Sequence, residues 1–370
     1  APVYFDAKNG VWGFASYDAI LGAKQDPRTF SNAGGARPEN GPLPMMIDMD
    51  DPDHIRRRKL VNRGFTPRRV RDSEASIRQV CDDLIDRVCD QGECDFVRDL
   101  AAPLPMIVIG DMLGVAPDDR DDLLRWSDAM VSVQSGSVTE ELLTASMDAM
   151  NEYVAYTTKV IEDRRAEPTD DLMSVLVHAE VDGERLDHDA LIYESLLILV
   201  GGDETTRHVI SGGMEQLAIH PEQRRLLIDE PARIPVAVEE MLRWVTPIKT
   251  MARTVTRDVA LFGQPLRAGQ KCALLYESAN RDETRFVDPY RFDVTRDPNE
   301  HLAFGFGTHF CLGNALARLE LTTMFERLLA RLPDLELVDD PATLPRRRAT
   351  FVSGLERMPV RFTPTARSAR

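Results

Sequence analysis

The sequence has 370 residues, of which 43% are hydrophobic and 29% are charged, a balance typical of a globular protein with a substantial core. Its formal net charge of −16 argues against a general affinity for nucleic acid or for anionic membranes. The sequence shows no cleavable signal pattern and no run of about 18 apolar residues, so we expect a cytoplasmic protein without a membrane span.

The first part of the chain predicts a hairpin, a long loop and a short helix. Residues 3–5 and 11–14 have strand character and flank Asn9-Gly10, a strong turn signal. Residues 26–53 are rich in glycine, proline and asparagine, which predicts a loop. A helix is then expected from residue 51 to about residue 64.

The rest of the chain is mostly helical in pattern. Residues 70–240 have helical periodicity with proline or glycine at the joints, and residues 187–219 predict one long helix. Short strands follow after residue 247, and a last long helix is expected from about Cys311 to Arg331. Strand character returns over 335–362, so the sequence predicts a mainly α protein with small peripheral sheets and no linker.

One cysteine lies in an unusual sequence. The five cysteines show no CxxC pairing, which argues against a disulfide framework and against a structural zinc site. Cys311 stands where a glycine-rich loop enters a helix, and a helix N-terminus favours thiolate over thiol. A buried structural cysteine is one alternative. A dinucleotide-binding loop is another, but Phe310 stands where that pattern needs a glycine.

A second unusual segment interrupts the apolar centre of the long helix. It reads Gly201-Gly202-Asp203-Glu204-Thr205-Thr206. Each glycine costs roughly 1 kcal/mol in a helix interior, so an ordinary core helix would avoid the pair. Gly201 and Thr205 are four residues apart, and a missing side chain next to a hydroxyl leaves a groove for a diatomic ligand. The alternative is a helix end capped by glycine.

Two further patterns are charged. Glu240 and Arg243 have the i, i+3 spacing that lets them pair on one helix face. Residues 54–71 contain many basic side chains and no acidic one. Such a run is either a solvated helix face or a docking surface for an acidic partner or an anionic cofactor.

Together these segments resemble one family. The string Phe-Gly-Phe-Gly-Thr-His-Phe-Cys-Leu-Gly-Asn-Ala-Leu-Ala-Arg at 304–318 resembles the cysteine-ligand loop of the cytochrome P450 family at every defined position. Residues 201–206 resemble its oxygen-groove motif, and residues 240–243 resemble its ExxR pair. The resemblance covers essentially the whole chain and implies a helical core around a buried haem b. We expect residues 1–370 to form one domain. Family members usually have another helix before their first strand, and we expect that helix to be missing here.

The resemblance also implies a role for individual residues. It makes Cys311 the axial ligand of the haem iron, and Glu240 and Arg243 a structural pair that supports the haem-binding core. Thr205 would hydrogen-bond dioxygen at the iron, and Glu204 would help to relay protons. The other haem contacts that it implies, of which the first four face the propionates, are His54, Arg58, Arg253, His309, Gly201, Phe304, Gly305, Gly313 and Ala317.

The implied activity is that of a monooxygenase, which inserts one atom of O2 into an unactivated C–H bond and releases the other as water. The sequence contains no flavin-binding or iron–sulfur segment, so electrons must come from another protein. We expect an acidic ferredoxin to dock near Arg56, Arg57 and Arg63.

The substrate is indicated by longer strings. Residues 45–52, 60–69 and 201–208 resemble a bacterial subgroup that hydroxylates the terminal methyl of the cholesterol or cholestenone side chain. An apolar pocket suits such a tail, because shape and burial would recognise it. The pocket residues that the family pattern implies are Leu197, Val200, Ile248, Met251 and Val352.

Several alternatives stay open. The same fold could hydroxylate a fatty acid, a terpene or a macrolide. A peroxygenase or a dehydrating isomerase would tend to lack the acid–threonine pair that is present at 204–205. A haem sensor or carrier would not need the full oxygen-groove motif, and a metal-binding module without haem would have only His309 and Cys311 close together.

Overall fold

The computed structural model describes residues 1–37, 41–133, 138–347 and 349–368, and over these ranges the chain is mainly α-helical, as the sequence predicts. The helices are α1 (Tyr17–Gln25), α2 (Asp53–Val61), α3 (Pro67–Asp72), α4 (Glu74–Val88), α5 (Pro103–Leu113), α6 (Arg120–Ser132), α7 (Glu140–Ala166), α8 (Leu172–His178), α9 (His188–Ile219), α10 (Pro221–Asp229), α11 (Ile234–Val245), α12 (Tyr276–Ala279) and α13 (Asn314–Arg331). The strands are β1 (Val3–Asp6), β2 (Val11–Phe14), β3 (Phe30–Ser31), β4 (Glu93–Asp95), β5 (Thr250–Val255), β6 (Val259–Leu261), β7 (Gln264–Leu266), β8 (Lys271–Leu275), β9 (Glu336–Leu337) and β10 (Pro359–Arg361).

The long helix α9 passes through the centre of the molecule. The Asp187 side chain caps its start by accepting a hydrogen bond from the Ala190 N–H, at 2.7 Å. The helix continues through the glycine pair without a break, which excludes the alternative of a capped helix end. A Cβ atom on Gly202 would lie 2.6 Å from Cγ1 of Ile109 on α5, so this glycine lets α5 and α9 approach each other.

The largest sheet has the strand order β1-β2-β8-β5-β3. Its β1–β2 hairpin is antiparallel, with Val3 opposite Phe14, and this confirms the predicted hairpin. Strand β3 lies in the segment that the sequence predicts as a loop, and two residues are too short a strand to give a periodic pattern. Residues 38–40 of that predicted loop, 134–137 of the predicted helical region and 348 of the terminal strand region lie outside the described residues.

Two hydrophobic clusters hold the elements together. The larger one fills the space between the helices, and the smaller one lies between the main sheet and α1. Helix α13 begins at Asn314, three residues later than predicted, because residues 311–313 form the turn that leads into the helix. Within the described residues, no helix combines the length and the apolar character needed to cross a bilayer.

Candidate active site

A cavity lies between α9 and the segment that contains Cys311, and the space in it that no atom occupies is about 1410 Å³, part of it open to solvent. The residues predicted to contact haem come together here, although they are scattered from position 54 to position 317. Those that line the cavity are His54, Arg58, Gly201, Thr205, Arg253, Phe304, Gly305, His309, Cys311, Gly313 and Ala317.

The loop that carries Cys311 is fixed by backbone geometry. The N–H of Cys311 donates to the carbonyl of Phe304 at 2.9 Å, and the Asn314 side chain donates to the Cys311 carbonyl at 2.7 Å. Gly305 has a φ of +70°, which a side chain would make unfavourable. The sequence therefore folds into a rigid turn that presents the Cys311 sulfur to the cavity.

The electrostatics of Cys311 combine opposing effects. Burial raises the pKa of its thiol, and this is the largest influence. The N–H of Gly313 and the positive charges of Arg58 and Arg318 lower the same pKa. The helix N-terminus, on which the sequence argument relies, therefore lowers this pKa by less than burial raises it. A thiol in such surroundings becomes a thiolate when it binds a metal cation, which suits it to ligate iron.

The wall beside Cys311 is rich in basic groups. The rings of His54 and His309 are in contact, with their centroids 3.9 Å apart and their planes tilted by 31°, and Nε2 of His54 is buried without a hydrogen-bond partner among the described residues. Arg58 donates to the carbonyls of Thr308 and Phe310, at 3.2 and 2.5 Å. These contacts direct the basic side chains of α2 toward the loop that holds Cys311.

Among the described residues, Arg58, Arg253 and His309 have no carboxylate partner, whereas Nδ1 of His54 lies 3.2 Å from Oδ1 of Asp51. Burial, and then the positive charges of His54 and Arg253, lower the pKa of His309 to about 2. Arg253 is buried, and its guanidinium donates a hydrogen bond to the carbonyl of the neighbouring Ala252, at 2.6 Å. Buried cations need anions. The two propionates of a haem would supply them, and with the Cys311 sulfur these residues fit that group.

One basic side chain in this wall was missed by the sequence reasoning. Lys24, in the last turn of α1, is buried and lines the cavity. A lone lysine in a short helix gives no pattern that could have pointed to this place.

The groove in α9 has the form that the sequence predicts. The hydroxyl of Thr205 donates to the carbonyl of Gly201 at 2.8 Å, one helical turn earlier. A Cβ atom on Gly201 would meet no heavy atom within 4 Å, so the helix surface is open next to this hydroxyl. Gly201 thus keeps space in the cavity, whereas Gly202 allows helix packing.

Glu204 does not line the cavity. Its side chain is fully buried on another face of α9, where Arg207 and Arg347 bind its carboxylate, the latter at 2.8 Å, and Nε2 of His208 lies 3.6 Å away. Burial raises the pKa of Glu204, but His208 and the two arginines outweigh it and hold this pKa at about 2. Arg207 also contacts Asp128, at 3.0 Å, and Asp128 is half exposed. The acid is therefore connected through ion pairs to the surface.

The Glu240–Arg243 pair is internal and bidentate. Arg243 donates from Nε and Nη2 to the two carboxylate oxygens, at 2.7 and 2.8 Å, and both side chains are fully buried. Arg296 also binds Glu240, at 3.1 Å. The remaining Arg243 donors hold the chain before the Cys311 loop, through the carbonyls of Asn280, Pro289 and Arg291.

The predicted substrate residues separate into two groups. Leu197, Ile248 and Met251 line the cavity. Val200 and Val352 are not among its lining residues. Val200 packs against the hydrophobic cluster, and Val352 is buried behind Ile248, with which it forms a β-bridge.

The three arginines predicted to receive a redox partner differ in their surroundings. Arg57 is partly buried and lies 3.4 Å from the fully buried carboxylate of Glu194 on α9, so it is bound to the protein interior. Arg57 remains a predicted docking residue and is less exposed than Arg56 and Arg63. Arg56 pairs with Glu184, at 3.6 Å, but stays exposed, and Arg63 is exposed.

Comparisons with known proteins show which proteins this chain is similar to. The family model described as Cytochrome P450 matches residues 45–349. The chain is 60% identical to a steroid C26-monooxygenase of Mycobacterium tuberculosis (strain ATCC 25618 / H37Rv), over 98% of this chain and 91% of the relative. It is 38% identical to a methyl-branched lipid omega-hydroxylase of the same strain, over 97% of this chain and 86% of the relative. The crystal structure of CYP109E1 from Bacillus megaterium in complex with corticosterone superposes with a TM-score of 0.89 at 34% identity, covering 98% of this chain and 95% of that one.

Proposed function

The chain belongs to the cytochrome P450 family, and we propose that this monooxygenase hydroxylates a terminal methyl group of a sterol side chain. The observation that carries the proposal is the 60% identity over 98% of the chain to a relative named for oxidation at steroid C26. The match spans 98% of this chain and so includes the segments that line the cavity.

The form of the cavity supports this substrate. Its α9 wall carries Leu197 and the open groove at Gly201, and Ile248 and Met251 face it from the segment around β5. An alkyl tail offers no hydrogen-bonding group, so apolar walls that exclude water are what such a substrate requires. The single polar group of a sterol, the oxygen on its first ring, would thereby be distinguished from the apolar tail by burial.

The chemistry divides between the cofactor and the chain. A haem held by the Cys311 thiolate would supply the reductive activation of O2 that oxidises the C–H bond. We assign to Thr205 a hydrogen bond to the ligand in the groove beside Gly201, and to donate it the hydroxyl gives up its bond to the Gly201 carbonyl. To Glu204 we assign a part in supplying protons to the reaction, and its ion pairs with Arg207 and Arg347 hold the carboxylate in place.

Electrons are proposed to come from an acidic ferredoxin and its reductase. Arg58 contacts the Cys311 loop, and the segment that follows Arg58 carries the exposed side chains of Lys59 and Arg63. The exposed rings of Phe306 and Phe310 lie on the Cys311 loop itself. Cationic groups around an apolar contact would steer and seat an acidic partner.

An optical titration of the purified ferric protein with cholest-4-en-3-one tests the proposal. Saturable conversion of the Soret band from the low-spin to the high-spin position is expected, because a sterol in this cavity would displace water from the iron. A normal haem spectrum without this change would contradict the sterol as substrate and would leave the assignment as a monooxygenase intact.

A second candidate substrate class is a methyl-branched lipid. The 38% identical omega-hydroxylase favours it, since that relative is also named for oxidation at a chain end. Titration with a branched fatty acid in parallel decides between the two, and we expect the sterol to bind more tightly.

A further inference from the structure

Lys24 occupies an unusual position for a lysine. It belongs to the last turn of α1, yet its side chain is only 9% exposed and lines the same cavity as Cys311. Its ammonium nitrogen lies 4.7 Å from the centroid of the buried Tyr276 ring. A lysine at the end of a surface helix would ordinarily extend into solvent, so this orientation requires an explanation.

The backbone of the Cys311 loop lies directly against Lys24. A Cβ atom on Gly305 would lie 3.0 Å from the Lys24 ammonium nitrogen, and a Cβ atom on Gly307 would lie 3.3 Å from the Lys24 carbonyl oxygen. Glycines at both positions therefore let α1 contact the loop that presents the sulfur. The ammonium group is placed at the wall of the cavity as a result.

No carboxylate pairs with Lys24 among the residues that the structure describes. Burial, and then the positive charge of Arg253, lower the pKa of Lys24 well below its ordinary value. Arg58, Arg253 and His309 line the same cavity as Lys24. The wall therefore groups basic side chains whose charged forms an anion in the cavity would stabilise.

We propose that Lys24 binds a haem propionate, acting with Arg58 and Arg253 as a third fixed cation in this wall. Two propionates carry two negative charges. Arg58 already donates hydrogen bonds to the carbonyls of Thr308 and Phe310. A further ammonium group gives the propionates a donor that is not committed to the loop. The inference rests on haem binding, which the proposed function also requires.

A charge in this position has two consequences. The charge-assisted hydrogen bond slows the release of haem. The positive charge also favours the ferrous over the ferric state, because reduction adds a negative charge to the cofactor.

The test compares Lys24→Met with Lys24→Arg in the ferric holoenzyme, with Lys8→Met as a control at an exposed turn of the β1–β2 hairpin. Haem transfer to excess apomyoglobin is expected to be about tenfold faster for Lys24→Met than for the wild type. The Arg variant and the Lys8 control should transfer haem at the wild-type rate. The reduction potential of Lys24→Met should shift to a more negative value.

The haem dimethyl ester has no propionate charge. It therefore distinguishes an effect of Lys24 on propionate binding from an effect on side-chain packing. With the ester, wild type and Lys24→Met should release the cofactor at similar rates. Equal rates of the two proteins with natural haem would overturn the proposal, and so would a difference that persists with the ester. If Lys24→Met does not yield holoenzyme, Lys24→Gln takes its place in both comparisons. A wild-type protein without a haem spectrum would contradict the proposed function itself.

Discussion

Arg347 Nη1 lies 2.8 Å from Oε2 of Glu204, and this contact joins residues 143 positions apart in the chain. The N–H of Arg347 donates to the carbonyl of Gly354 at 3.0 Å, so the arginine belongs to a closed loop. That loop also carries Val352, whose bridge to Ile248 places it directly behind the cavity wall. The acid of α9 and the proposed substrate wall thus share one supporting segment.

Glu204→Gln tests the role assigned to the acid. The substitution removes the group that can carry a proton and leaves the cavity walls unchanged, since Glu204 does not line the cavity. We expect turnover to fall by about 10²-fold, which is the scale of losing one acid–base group. The sterol-induced spin shift should persist. Product formation and optical titration on the same preparation measure the two quantities, and unchanged turnover would rule out the relay.

The buried carboxyl of Asp203 predicts a dependence of stability on pH. Burial raises its pKa to about 7, with Glu204 and Asp128 adding to the effect, while Arg207 and Ser127 oppose it. Glu320 on α13 also faces it, and burial and then Asp203 raise the pKa of Glu320 well above the ordinary range. The native state therefore keeps the Asp203 proton over a pH range in which the unfolded state has lost it.

The sign of the effect follows from this difference. Between the ordinary pKa of an aspartate and about 7, the unfolded state releases the proton and the native state does not, so stability falls as pH rises. We expect Asp203→Asn to stabilise the protein relative to wild type, by an amount that grows from pH 5 to pH 7 and then levels off. Thermal unfolding across that range measures it, and a constant difference at all pH values would contradict the assignment.

The two glycines of α9 form a matched pair for mutation. Gly202→Ala would bring a methyl group to 2.6 Å from Ile109, whereas Gly201→Ala meets no atom within 4 Å. We expect Gly202→Ala to destabilise the protein by about 1–3 kcal/mol through overpacking. Gly201→Ala should fold at least as well as the wild type but lose turnover, because it fills the groove beside Thr205. Urea midpoints and product formation distinguish them, and identical behaviour would show that the groove has no separate role.

Charge reversal separates the arginines of the basic segment. Arg63 is exposed, so Arg63→Glu should slow reduction by an acidic ferredoxin at low salt and leave unfolding unchanged. Arg57→Glu should instead destabilise the fold, because it would place a second carboxylate next to the buried Glu194. Stopped-flow reduction at two ionic strengths and urea unfolding of both variants measure these effects. A reduction rate for Arg63→Glu equal to that of the wild type would exclude Arg63 from docking.

The sequence predicts those parts of the site that lie in local motifs. The loop around Cys311, the groove at Gly201 and Thr205, and the Glu240–Arg243 pair each occupy a short stretch with a distinctive pattern, and all three are found as expected. Lys24, Arg296 and Arg347 could not be predicted in the same way. Each acts on a partner far away in the chain, so their roles depend on how the helices and loops pack and not on any local periodicity.

The most direct test of the account is the product formed from cholest-4-en-3-one. The purified holoenzyme is supplied with NADH, a ferredoxin and a ferredoxin reductase, and the product is identified by mass spectrometry and NMR. The account predicts a single oxygen atom, derived from O2, on a terminal methyl carbon of the side chain, and no such product from Glu204→Gln at comparable rates. Oxidation confined to the steroid rings, or to a branched fatty acid offered in competition, would contradict it.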